Sequence, residues 1–373
     1  MALNIEQVPG FIETVLKKYF KVDWKDISLP LQEYYYPSRL FTQASTETMG
    51  GPFCEWKLQV TNPGNFSLSG PYAVDATNRV EMLTHGNMGW SQNTTNYTVD
   101  ITEDVFKRSA EEIINHMDVL EHAMYNDYWA GMEDLMMGPG PTGPTLVPRP
   151  PSGPLWWIQP MPMTSAATRT VAGVPAHTGS GFYGGNPPGF SECGNVDCTK
   201  YTNWSNRCFT YSQVSRNDFI DKVMECMDKC YFKPAQSYPE LAPGKPKWEF
   251  LTTYSRIQLM RRLLQQGNDN IGDDLAAHGG VCYIRNVPVN WVPAWTNSQS
   301  ANLRTDGVFL GLNWTKFKAF YAPGLRMVKR TPYQDKDRHN VRWRVMDDSN
   351  QIVCLDRRAN FIGTSLTWVT END

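Results

Sequence analysis

The sequence lacks a long apolar run and a large excess of charge of one sign. No segment approaches the roughly 18 consecutive apolar residues of a membrane-spanning helix, and the first twenty residues have no basic start and no apolar core of a secretory signal. The 35 basic and 38 acidic residues leave a formal charge of −3. Such a balance provides no whole-chain basic field for nucleic acid. We therefore expect a soluble protein without membrane contact whose main task is not nucleic-acid binding.

Cysteine is scarce, and the short motifs of common enzymes are absent. Eight cysteines in 373 residues are too few for a disulfide scaffold. The sequence contains no G-x-S-x-G, no Walker lysine and no C-x-x-C. One cysteine group is close enough in sequence for a zinc ion, although it lacks paired C-x2-C knuckles. Its members are Cys193, Cys198, Cys208, Cys226 and Cys230. We expect no catalytic residue, metal or cofactor, and a zinc-dependent enzyme built on these cysteines stays open as an alternative.

Two further patterns resemble binding sites but lack the geometry of one. Residues 179–184 match G-x-G-x-x-G, yet they lie among glycines and prolines rather than between a strand and a helix. The stretch EEIINHMDVLEH contains His116 and His122, which lie about 120° apart on an ideal helix. A shared metal needs two ligands on one helix face. We therefore expect a loop at the first pattern and a solvated helix face at the second.

Aromatic residues are abundant, with 13 Trp, 17 Tyr and 16 Phe, which indicates an ordered chain. Apolar spacing predicts a short amphipathic helix at 8–20, followed by an extended arm without periodicity up to about residue 51. Short strands with turn residues between them follow over 53–101. A single apolar stripe then predicts one helix over 102–137, about 53 Å long.

The second half of the sequence mixes helices with strands. After a Gly-Pro-rich stretch, amphipathic patterns predict helices at 218–232 and 253–266, and aromatic-rich strands follow. From residue 306 to the end the pattern is strand-like. Residues 315–358 contain eleven Lys or Arg against five Asp, so several of these strands alternate apolar with basic side chains. The fold class expected from these elements is α+β.

The order of elements resembles the major capsid proteins of tailed bacteriophages, which have the Hong Kong 97-type fold. The resemblance is carried most closely by DGVFLGLNWTKFKAFYAPGLRMVKRTP and VRWRVMDDSNQIVCLDRRANF. It implies an α+β chain with the following divisions: N-terminal arm 1–52, E-loop 53–100, spine helix of the P-domain 101–137, A-domain with a Gly/Pro-rich loop 138–305, and returning P-domain strands 306–373.

The resemblance implies a non-enzymatic subunit that forms hexamers and pentamers of an icosahedral shell around packaged double-stranded DNA. The implied location is the virion, after assembly in the cytoplasm of a bacterial host. Implied partners are a separate scaffolding protein, a portal and a decoration protein. An encapsulin-type shell around cargo proteins is an alternative with the same fold. Expected subunit-interface residues are Trp56, Lys57, Phe66, Tyr72, Trp90, Arg357 and Arg358.

Two departures from the family pattern qualify these expectations. The family archetype joins subunits covalently through an E-loop lysine, but the only lysine in 53–101 is Lys57, near the base of the excursion. We therefore expect no covalent crosslink. Some members carry a long N-terminal scaffolding segment, whereas the spine pattern here begins after only a short helix and an arm.

Overall fold

The computed structural model of the chain describes its central elements. It covers residues 35–42, 46–61, 68, 81–100, 110–138, 140–141, 143, 148–159, 184–187, 189–198, 200–230, 247–266, 281–297, 308–334 and 340–365. The helix expected at 8–20 lies outside these residues. Within them, no helix is both long and apolar enough to span a membrane.

Helices and strands alternate along the described residues, which confirms the α+β class. The helices are α1 Tyr35–Thr42, α2 Ala110–Met137, α3 Pro154–Trp157, α4 Asp221–Cys230, α5 Tyr254–Gln266 and α6 Pro293–Asn297. The strands are β1 Thr46–Thr48, β2 Phe53–Gln59, β3 Leu83–Gly89, β4 Ser91–Asp100, β5 Arg207–Tyr211, β6 Trp248–Thr252, β7 Cys282–Ile284, β8 Val287–Trp291, β9 Phe309–Asn313, β10 Phe317–Tyr321, β11 Val328–Lys329, β12 Tyr333–Gln334, β13 Val341–Cys354 and β14 Phe361–Ser365.

The first sheet is built around the 14-residue strand β13. Its order is β1-β10-β13-β11, and β4 and β12 also pair with β13. The pairing of β4 with β13 runs over ten residues, from Asp100 opposite Val341 to Ser91 opposite Asn350. The polar centre of this strand, Asp347 to Gln351, interrupts the alternation of apolar and polar residues. In the structure, hydrogen bonds to β4 and β10 keep β13 continuous across this polar centre.

The second sheet has the order β5-β14-β9-β6-β8-β7. All five residues of β9 are buried, as expected for a strand covered on both faces. Strands β9 and β14 therefore lie beside strands of the middle section, whereas β10 to β13 of the expected returning set 306–373 belong to the first sheet. Close packing fixes their place, because a Cβ at Gly311 would lie 2.3 Å from the ring of Phe361.

Helix α1 lies inside the segment that was expected to be an extended arm, so that expectation is wrong at 35–42. An eight-residue helix has little local signal, and Pro37 in its first turn hides it further. Tertiary contacts stabilise it instead. Tyr36 and Leu40 are buried one turn apart, and the Tyr36 ring lies 5.2 Å from the ring of Trp314.

Helix α2 is the long helix predicted from the apolar stripe, and it ends at Met137 as expected. Its 28 described residues correspond to about 42 Å. Met124, Tyr128, Met132 and Met136 are buried at four-residue spacing, whereas Leu135, placed on the stripe from sequence, is 42% exposed. Three-residue and four-residue steps both fit the helical period, so the sequence leaves open which of them continues the buried face after Met132. Contacts with the neighbouring elements bury Met136 rather than Leu135.

The two-stranded hairpin β2–β3 stands apart from both sheets. Its register pairs Phe53 with Gly89 and Gln59 with Leu83. In the part of the chain that the structure describes, no third strand joins it. An isolated two-stranded hairpin is marginally stable, so its orientation depends on side-chain contacts at its root.

Candidate functional site

The exposed face of the β2–β3 hairpin carries a large apolar side chain at each end. Phe53, opposite Gly89 at the root, is 48% exposed, and Leu83, opposite Gln59 at the other end, is 62% exposed. Strand β2 alternates exposed and buried positions from Phe53 to Gln59. Exposed apolar side chains on a projecting element indicate a surface for a protein partner. Sequence reasoning missed Phe53 and Leu83, although the alternation of FCEWKLQ contained the signal for the first.

The root of the hairpin is buried against the rest of the chain. Trp56 is 8% exposed and lies 5.9 Å, between ring centroids, from Trp157. Cys54 and Met88, which face each other across the two strands, are also buried. A Cβ at Gly86 would lie 2.3 Å from the Trp56 ring, so the indole covers the glycine. Trp56 was expected at a subunit interface, and within the chain its indole already packs on Trp157 and Gly86.

The remaining candidates on this excursion differ in placement. Lys57 is exposed on the hairpin. Trp90 is partly buried, and its indole Nε1 donates to the Gly51 carbonyl at 2.9 Å. Phe66 and Tyr72 lie outside the described residues. Lys57 and Trp90 therefore stay predictions as interface residues.

Arg357 and Arg358 have opposite environments. Arg357 is fully buried and donates from all three guanidinium nitrogens. Its Nε donates to Trp157 O at 2.6 Å, and Nη1 donates to Cys198 Sγ at 2.7 Å and Trp204 O at 3.0 Å. Arg357, which was expected at an interface, makes all of these contacts inside the chain and is 0% exposed. Arg358 is exposed and pairs with Asp356 at 3.0 Å, so its role at an interface stays a prediction.

Several basic side chains of the returning strands pair with acids of the same chain. Lys318 pairs with Glu47 on β1, and Arg330 pairs with Asp347 at 2.7 Å. Lys329 reaches Glu121 on α2 and lies over the Tyr125 ring at 5.0 Å. The first two pairs thus lie within the first sheet, and the Lys329 pair joins that sheet to α2.

A buried polar cluster joins α2 to the centre of β13. The Tyr128 hydroxyl donates to Asp348 Oδ2 at 2.5 Å, and the Met327 amide donates to the other carboxylate oxygen at 3.1 Å. Asn350 also donates to Asp348. Burial raises the pKa of the Asp348 carboxyl. The cluster satisfies a buried acid with three donors and thereby sets the position of the long helix on the sheet.

A groove of about 520 Å³ lies beside this cluster, between α2, β4 and residues 148–150. Its walls are polar on β4, from Gln92 to Thr95, and partly apolar on α2, where Met132 and Leu135 contribute. Tyr128, whose hydroxyl donates to Asp348, also lines this groove. His122, singled out from sequence, lies exposed on α2 and hydrogen-bonds Asn126 at 2.9 Å, while the His116 side chain lies outside the described ones.

The cysteines of the described residues are buried free thiols. Burial raises the pKa of Cys193 and of Cys226 to about 12. Without a bound metal, thiols with such pKa values are protonated at neutral pH. Cys193 and Cys198 lie in a different hydrophobic core cluster from Cys226 and Cys230. Among the residues that the structure describes, no group of three or more His, Cys, Asp or Glu side chains is arranged to hold a metal.

Comparisons with known proteins identify the fold. No protein-family model matches the sequence, and no curated protein matches it. The structure is similar to a chain from the capsid of a native GTA particle, with a TM-score of 0.55 and 12% identity, over 98% of this chain and 100% of the other. It is similar to a chain of the cyanophage A-1(L) capsid, with a TM-score of 0.57 and 10% identity over 92% and 95% of the chains. A chain of the cyanophage P-SCSP1u capsid gives 0.52 and 9% over 94% of both. The chain therefore has the fold of phage capsid subunits, the Hong Kong 97-type fold.

Proposed function

We propose that the chain is a major capsid protein that assembles into an icosahedral shell around packaged double-stranded DNA. The observation that carries the proposal is the fold itself, which matches chains of three capsids over nearly their whole lengths. In these comparisons the capsid fold covers 92 to 98% of this chain. The proposed location is the virion, with assembly in the cytoplasm of a bacterial host.

The described surface supports a binding role without catalysis. The projecting hairpin exposes Phe53 and Leu83, which a partner chain would cover. A closed shell of identical subunits offers such a partner at every position, and modest contacts add up because each subunit makes many. We therefore propose a non-enzymatic subunit with itself as principal partner, in hexamers and pentamers.

We further propose the domain divisions of the capsid fold for this chain. The arm would comprise 1–52, the E-loop 53–100, the spine 101–137, the A-domain 138–305 and the P-domain strands 306–373. Strands β9 and β14 modify this division, because they complete the sheet of the middle section. Lys57, Trp90 and Arg358 remain proposed interface residues, as do Phe66 and Tyr72. A separate scaffolding protein, a portal and a decoration protein are proposed partners.

Electron microscopy of the purified chain tests the proposal. The full chain, expressed with and without its scaffolding partner, is expected to form uniform closed shells in at least the first condition. Replacing Leu83 with Asp places a charge on the exposed hairpin surface and should prevent shells while the subunit stays folded. His122→Ala, on the exposed side of α2, should leave shells intact. A wild-type chain that stays monomeric in both conditions would refute the proposal.

An encapsulin-type shell, the alternative function, has the same fold. The content of the particles distinguishes it from a viral capsid. Particles isolated from infected cells are expected to contain nuclease-protected double-stranded DNA. Particles that instead enclose a protein cargo and no DNA would replace the capsid proposal with the encapsulin one.

A further inference from the structure

A two-residue turn in the middle section touches the free edge of the β2–β3 hairpin. Gly194 and Asn195 both have positive φ angles, 64° and 65°, and Cys193 and Val196 close the turn with two main-chain hydrogen bonds. Positive φ at both central residues is the signature of a tight type I′ turn, which suits glycine and asparagine. The residue choice at 194 and 195 therefore follows from the backbone that the turn requires.

The turn makes two hydrogen bonds to β3. The Asn87 amide donates to Gly194 O at 3.2 Å, and Asn195 Nδ2 donates to His85 O at 3.2 Å. Residues 85 and 87 are two apart, so their polar groups point to the same edge of the strand. The other edge of β3 pairs with β2. The turn thus occupies the outer edge of the hairpin at its root.

Tryptophan packing brings the turn and the hairpin into direct contact. A Cβ at Gly194 would lie 3.0 Å from Trp157 Cη2 and 3.0 Å from Trp56 Cζ2. Trp56 belongs to β2 and covers Gly86 on β3. Only glycine lets the turn approach this closely, so the two indoles and the turn form one contact at the root of the hairpin.

Buried hydrogen bonds hold the turn from behind. The Trp204 indole donates to Cys193 O at 2.9 Å. Arg357 donates to Trp204 O at 3.0 Å and to Trp157 O at 2.6 Å. One buried guanidinium therefore supports both the residue behind the turn and the tryptophan that touches Trp56. The hairpin root is connected to the centre of the molecule through these bonds.

We propose that the Gly194–Asn195 turn is a latch that sets the direction in which the β2–β3 hairpin leaves the body of the subunit. In this arrangement Asn195 is a positioning residue that acts on the hairpin directly, and Arg357 positions the turn and Trp157. The proposal rests on the proposed function, because the hairpin direction matters where its exposed apolar surface must meet a neighbouring subunit. An error in angle at the root is amplified toward the far end of the hairpin, so the latch would control the accuracy of shell closure.

Asn195→Gly tests the latch with little disturbance of the fold. Glycine keeps the positive φ and removes only the side-chain donor to His85 O. Asn286→Gly is the matched control, because Asn286 is also exposed with a φ of 63° but lies in the β7–β8 turn. Amide hydrogen exchange is measured on the unassembled full-length subunit. We expect exchange along 83–89 to rise about two- to ten-fold in Asn195→Gly, the factor for one ordinary hydrogen bond, with no change in the control.

Shell uniformity supplies the second measurement. Urea midpoints of both variants should stay close to that of the wild type, and shells of Asn195→Gly should show a broader size distribution. Unchanged exchange along 83–89 would overturn the latch. Raised exchange with shells as uniform as those of the wild type would overturn its positioning role. If the wild type forms no shells, the proposed function fails, and the exchange measurement still decides whether the latch exists.

Discussion

Replacing Arg357 with alanine is expected to lower the unfolding free energy of the subunit by about 3 to 5 kcal/mol, whereas Arg358→Ala is expected to cost less than about 1 kcal/mol. The two arginines are adjacent in sequence and carry the same charge. Arg357 is fully buried, and the Arg358 side chain is 60% exposed in its pair with Asp356. The comparison therefore isolates the effect of environment from that of residue type.

The magnitude follows from the acceptors that Arg357 leaves behind. Three buried main-chain carbonyls lose a charged donor, those of Trp157, Gly185 and Trp204. Each unsatisfied buried acceptor costs about 1 to 3 kcal/mol. The side-chain oxygen of Asn206 keeps a second donor, and removing the guanidinium also removes its own desolvation cost, so the lower part of the summed range applies.

Urea unfolding of the unassembled subunit, followed by tryptophan fluorescence and circular dichroism, measures both variants. Coincident transitions in the two signals are required before unfolding free energies are compared. Arg357→Lys is an informative third variant, because an ammonium group cannot reach the separated acceptors of the guanidinium and should recover only part of the loss. A loss below about 1 kcal/mol for Arg357→Ala, or an equal loss for Arg358→Ala, would refute the role assigned to the buried guanidinium.

Three further outcomes are expected. Burial raises the pKa of Asp348, so the folded protein keeps the carboxyl proton at pH values where the unfolded chain has lost it. The unfolding free energy should therefore fall as the pH rises above about 4. Asp348→Asn should make the unfolding free energy, measured by urea titration at several pH values, less dependent on pH. Gly131→Ala, on the exposed side of α2 where an added Cβ meets nothing within 4 Å, should stabilise the subunit by about 0.5 to 1 kcal/mol. Gly311→Ala should destabilise it by more than about 2 kcal/mol, because its Cβ would lie 2.3 Å from a buried ring. Equal effects of the two substitutions on thermal unfolding would contradict the packing of β9. Burial raises the pKa of Cys54 and Cys193 to about 12. A thiol reagent at pH 8 should therefore label these two cysteines at least about 100-fold more slowly in the native protein than in urea. Fast labelling of the native protein would show that the structure around these cysteines opens.

Local sequence signals were sufficient where a segment interacts mainly with itself or with one uniform apolar surface. The period of the apolar residues predicted α2 and its end at Met137, and it placed α5 correctly within one residue. Alternation predicted β2, and the order of the elements was enough to expect the capsid fold. These features depend on periods of 3.6 and 2, which a chain displays whatever its neighbours are.

Tertiary structure alone decided the features that depend on distant parts of the chain. Nothing in the Arg357-Arg358 pair indicates which side chain is buried; the acceptors that surround Arg357 come from residues about 150 to 200 positions earlier. The burial of Trp56 likewise requires Trp157 and Gly194 to be brought to the hairpin root. Helix α1 forms because Tyr36 finds partners near residues 133 and 314. The sequence by itself thus determined which elements form, through local periodicity, and long-range packing determined which side chains are buried inside the subunit and which remain exposed for a neighbour.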